Sequence, residues 1–216
     1  MIISSQAWQK ELLKISKQTQ KKLHPENDWC FKDYQSLEID LMLSFYIIRK
    51  LIDAKQLTNR IISTNVKVRK HKNSGISVNL LNKHRIPELY DYTTPKNENI
   101  DLKFLINQFM HSYIFYPILS YKDQKGLKFT EIAKYNVTDE ELEVLFENSK
   151  RELESVLFTS DDKKNKFIYE IEITELIKLF ESAGNCKINS SAYKYNDKRM
   201  DYDVSQEYKE NTDLPF

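Results

Sequence analysis

The chain contains 4 histidines, and one of them stands among amides: Asn107-Gln108-Phe109-Met110-His111-Ser112. Asn107 and His111 are four residues apart, so on a helix their side chains share a face, and Gln108 adjoins the same patch. An imidazole titrating near neutrality can serve as general acid and base, with an amide orienting the ring or holding a substrate oxygen. The same residues also suit a buried histidine satisfied by Asn107 or by a backbone group.

Ile106-Asn107-Gln108-Phe109-Met110-His111 resembles the R-N-x-x-x-H signature of HEPN-type helical domains. It matches at Asn107 and His111 and departs at Ile106, where that family carries Arg. The resemblance implies a helical bundle and metal-independent RNA cleavage with the ribose 2′-OH as nucleophile, completed across a homodimer. It would give His111 the proton-transfer role and Asn107 an orienting one. Ile106 cannot stabilise charge on a phosphorane, so such an enzyme would need another cation, Lys103 or Arg49, to approach.

A second group is defined by charge. The chain is nearly neutral at +1, but from Ala54 to Pro87 it has no Asp or Glu. That stretch holds 8 of the 33 Lys and Arg, leaving 25 to face 32 acidic residues elsewhere. Lys67, Arg69, Lys70, His71, Lys72, Lys83 and Arg85 are the candidate contacts for a polyanion or an acidic protein surface. Neutralising phosphates with such residues releases counterions and favours RNA or DNA binding at low salt. A solvated face, or pairing with acidic residues of the same or a neighbouring subunit, accounts for the same charges.

Other chemistry has no foothold in the sequence. No glycine-rich phosphate loop, H-E-x-x-H or G-x-S-x-G run occurs, and only 3 glycines are present. The histidines are scattered, so neither a metal site nor a cofactor is expected. Cys30 and Cys186 form no C-x-x-C pair, and reduced thiols of a cytoplasmic protein are the expectation. The start reads as no secretory leader. The densest apolar run, Leu41–Ile48, is far too short to cross a membrane.

These residues need elements to hold them. Apolar periodicity predicts helices over 5–24, 33–57, 99–116, from Thr138 onward, and over 174–183. Helix 33–57 is apolar nearly all round, so the others should surround it. Alternation predicts two β-hairpins, one over 64–81 turning at Asn73-Ser74-Gly75 and one pairing 155–159 with 166–173. The expectation is a predominantly helical α+β domain over 1–184. It is a bundle about a central helix with the two hairpins appended, followed by a polar tail over 185–216. Tyr113, Phe115 and Tyr116 on the third long helix could pack a homodimer interface or an ordinary core. A binding protein using the basic hairpin is the leading functional expectation.

Overall fold

The computed structural model of the chain describes residues 5–23, 29–121 and 151–207. The elements in order are α1 (Ser5–Lys21), α2 (Phe31–Asp53), the short α3 (Asn59–Ile62), β1 (Asn65–Lys72) and the short α4 (Ile86–Leu89). Then come β2 (Lys96–Asp101), α5 (Leu102–Met110), β3 (Ser112–Tyr121), β4 (Arg151–Ser160), β5 (Phe167–Glu172), α6 (Ile173–Gly184), β6 (Ser190–Asn196) and β7 (Asp201–Glu207). The helix predicted from Thr138 onward lies outside the described residues up to 150, and its expected last apolar residue, Leu153, belongs to β4.

The centre of the molecule is a sheet. Five antiparallel strands run in the order β2-β1-β5-β4-β3. The fold is therefore α+β with a five-stranded core, and the expected helical bundle with appended hairpins is incorrect. Two readings produced that error. The apolar run of 99–116 is not one helix. Asp101 accepts from the Phe104 N–H at 2.8 Å and starts α5, which stops at Met110. From Ser112 the aromatic and β-branched residues suit a pleated strand, which pairs with β4 from Ser112↔Ser160 to Tyr121↔Arg151. Tyr113, Phe115 and Tyr116 thus sit on a strand.

The second misread element is the hairpin over 64–81. β1 forms as expected, but residues 76–82 do not fold back onto it. Its partners are β2, through Asn65↔Asp101 to Lys70↔Lys96, and β5, through Arg69↔Glu170 to Lys72↔Phe167. The predicted hairpin over 155–173 is present as β4 and β5, in the middle of the sheet rather than appended to a bundle.

Helices cover one face of the sheet. Leu37, Leu41, Phe45, Ile48 and Leu51 of α2 are fully buried, as their spacing predicts, whereas Ile39 is 64% exposed, so α2 is covered along one side only. A line of rings joins the layers. Phe45 of α2 stacks on Phe109 of α5 at 4.1 Å, Phe109 on Phe158 of β4 at 4.4 Å, and Phe158 on Tyr169 of β5 at 5.7 Å. Ring pairs of this kind add to the burial that forms the core. The sheet's other face is half covered. Val78, Ile86, Leu89 and Tyr90, from the connection between β1 and β2, pack on Ile114, Ile118, Leu157 and Ile168. Residues 190–207, within the polar tail, form a two-stranded sheet of β6 and β7. No helix among the described residues is long and apolar enough to cross a membrane.

Candidate functional site

Gln108 does not share the surface on which Asn107 and His111 lie. Asn107 is exposed and its Oδ1 accepts from Arg49 Nη1 at 3.3 Å. Gln108 points inward, where its Oε1 accepts from Ser160 Oγ at 2.8 Å. His111 is the C-terminal cap of α5, exposed, with its backbone N–H on the Asn107 carbonyl. Ile106, in the place of the signature arginine, is 3% exposed in the main core. No cation can replace it there without burying an unpaired charge. The five-stranded sheet overturns the HEPN resemblance.

The basic stretch is divided in two by the fold. β1 lies inside the sheet, so its side chains alternate between faces. Val66 and Val68 face the helices, while Lys67, Arg69 and His71 face the other way. There Glu170 of β5 meets them. Its Oε1 accepts from Arg69 Nη2 at 2.5 Å and from Ser155 Oγ at 2.7 Å, and its Oε2 lies 2.9 Å from His71 Nε2. Burial pushes the Glu170 carboxyl up, but the His71 and Ser155 hydrogen bonds and the Arg69 charge outweigh it and bring it down to about 2. Lys70, on the opposite face, pairs with Glu98 at 3.0 Å and lies 4.1 Å above the Phe167 ring. Of the seven predicted contacts, Arg69 and Lys70 are therefore charge-paired within the sheet and His71 is committed to Glu170.

This cluster is not arranged for proton transfer. A carboxylate holding three donors and titrating near 2 is a poor base at neutral pH. Ser155 donates to the carboxylate rather than to the imidazole, so His71 does not activate it. The Tyr92 ring lies against His71 at 4.5 Å, and burial raises its phenol. His71 Nδ1 and Tyr92 Oη have no hydrogen-bond partner among the described residues. No group of three or more possible metal ligands occurs among the described residues.

The other half of the basic stretch is on the surface. Lys72 and Lys83 are exposed, and among the described residues Arg85 pairs only with Glu88, three residues on. Between them lies a feature that composition concealed. Leu80 is 71% and Leu81 87% exposed, at the tip of a turn closed by two asparagines. Asn79 Oδ1 accepts from the Leu81 N–H at 2.9 Å, Asn82 Oδ1 from the Asn79 N–H at 2.8 Å, and Asn82 Nδ2 donates to the Ser77 carbonyl at 2.8 Å. Side-chain closure of this kind satisfies the backbone locally. Val78 on one side and Ile86 on the other anchor the turn in the second core, so the leucines point outward from a braced base. The signal available in the sequence was Asn-Leu-Leu-Asn, which the alternation reading absorbed into a strand.

No family model, curated protein or solved structure matches this chain.

Proposed function

We propose that this protein is a binding protein that docks an acidic protein partner through the Leu80–Leu81 turn. The observation that carries the reading is the outward pair of leucines, held by asparagines, within a stretch that has no acid from Ala54 to Pro87. An apolar centre with a polar rim is the usual anatomy of an interface anchor. Lys83, His84 and Arg85 follow the leucines after Asn82 and are all exposed. The Arg85–Glu88 pair is on the surface and easily exchanged for a partner's carboxylate. Leucine side chains offer a phosphate backbone nothing, which favours a protein surface with an apolar pocket and acidic rim over nucleic acid. The commitment of Arg69, Lys70 and His71 to Glu170 and Glu98 supports the same choice.

The test is a photo-cross-linking residue at position 81 in cells producing the protein, with the joined peptide sequenced. The expected product is one partner, linked through an apolar segment with acidic flanks. Its yield falls in the Leu80→Ser/Leu81→Ser and Lys83→Glu/Arg85→Glu variants and at raised salt. Cross-links to the same partner that survive both double variants would rule the turn out. Salt-sensitive retention of RNA, or of anionic vesicles, in place of a protein would reassign the partner.

A further inference from the structure

A separate cavity opens on the uncovered half of the sheet. β1 stays paired with β2 as far as Asn65↔Asp101, and β5 with β4 as far as Glu172↔Ser155. The ladder between β1 and β5, however, stops at Arg69↔Glu170. Past that pair the two strands part, and a cavity of about 610 Å³ fills the notch. Its walls carry Lys67 and Arg69 of β1, Asn97 and Asn99 of β2, Glu172 at the end of β5 and Glu175 in the first turn of α6.

The charges in this notch cancel in pairs with one exception. Arg69 is held by Glu170, and Glu175 by Lys178 at 2.7 Å. Lys67 and Glu172 occupy what would be the next cross-strand position on the same face. Neither has an ion pair or a side-chain hydrogen bond among the described residues, and Glu172 acts at longer range on Lys178, which Glu175 already holds. Opposite charges placed directly across a ladder normally pair. Here one cation and one anion line the same open cavity, with Asn99 opposite Lys67 on β2 and Asn97 opposite Arg69.

We infer that this notch binds a zwitterion with a free ammonium and a free carboxylate, a short peptide or an amino acid. Its carboxylate is received by Lys67 with the Asn97 and Asn99 amides, and its ammonium by Glu172. A polyanion does not suit the notch, because only one cation in it is uncommitted. The main chain of Lys67, which faces β5 beyond the last pair of that ladder, can add hydrogen bonds to a peptide, as strand edges do for an added strand. Cavity size favours a peptide over a single amino acid, since an extended tripeptide spans only about 10 Å.

Titration of ¹⁵N-labelled protein with alanine, dialanine and trialanine, followed by amide shifts, tests this. Trialanine capped by an acetyl and an amide group and inorganic phosphate serve as controls. The expected result is saturable shifts centred on Lys67, Asn99 and Glu172 for a free-ended ligand, at least tenfold weaker for the capped peptide. Alanine outranking trialanine would assign the site to amino acids. Lys67→Glu or Glu172→Lys alone should weaken binding at least tenfold, and the two together should restore it with the ligand reversed. Both residues are exposed, and unchanged amide spectra elsewhere confirm folding. Equal binding of the capped peptide, preferential binding of phosphate, or no shift with any free-ended ligand at millimolar concentration would overturn the inference.

Discussion

Replacing Glu170 by Gln tests the electrostatic logic of the sheet. In the native protein this carboxyl titrates at about 2, against an ordinary value of 4.5. The difference amounts to ~3 kcal/mol of preferential stabilisation of the charged form in the folded state. Because the folded value lies below the ordinary one, this contribution is complete above pH 4.5 and is lost as the pH falls toward 2. Arg69, His71 and Ser155 face the carboxylate directly, and the Tyr92 ring covers the imidazole. Gln keeps the shape but leaves the Arg69 charge without a counterion. Urea unfolding, read by the fluorescence of Trp8 and Trp29, should show Glu170→Gln less stable than wild type by about 2–3 kcal/mol at pH 7, with an unchanged m-value. The two proteins should converge between pH 4.5 and about 2. Equal stability at pH 7, or a gap independent of pH across that window, would refute the account of Glu170 as the counter-charge of β1.

Phe109→Ala removes the ring shared by α2, α5 and β4, and thermal unfolding should register a loss of about 3–5 kcal/mol. Gly184→Ala should destabilise by about 1–3 kcal/mol although alanine favours helices. An added Cβ would lie 2.6 Å from Leu13 Cγ and 3.3 Å from the Gln9 carbonyl, and urea titration checks it. Leu80→Ser/Leu81→Ser should leave stability within about 0.5 kcal/mol of wild type in the same titration, since both side chains are exposed. Asp101→Ala should cost about 1 kcal/mol by removing the cap on the Phe104 N–H.

The helices α1, α2 and α6 were legible because each buries one stripe, and a stripe has a period that a single sequence reveals. The β4–β5 hairpin was legible for the same kind of reason: alternation on either side of a polar turn. β2 was not. Lys96-Asn97-Glu98-Asn99-Ile100-Asp101 has one buried apolar residue, and it is a strand because β1 offers an edge to pair with. The run from Leu102 to Tyr121 changes from helix to strand without a change in hydrophobicity, and the cap at His111 marks the border only by conformation. At the site, the basic stretch was visible as an excess of charge. Its neutralisation was not, because Glu170 lies 99 residues beyond His71 in the chain. The notch was illegible for a further reason, since it arises where two ladders end at different residues.

The position of β1 bears on how the molecule is made. Its neighbour on one side, β5, begins only at Phe167, so nearly one hundred residues must be synthesised after β1 before the sheet can close. Until then the nascent chain carries Val66 and Val68 with no completed core to enter, and an unsatisfied strand edge beside them. Non-local pairing of this kind slows folding and exposes the chain to aggregation. A fragment ending before Phe167 would lack the middle of its own sheet. The ribosome must therefore release β5 before the sheet's centre becomes stable.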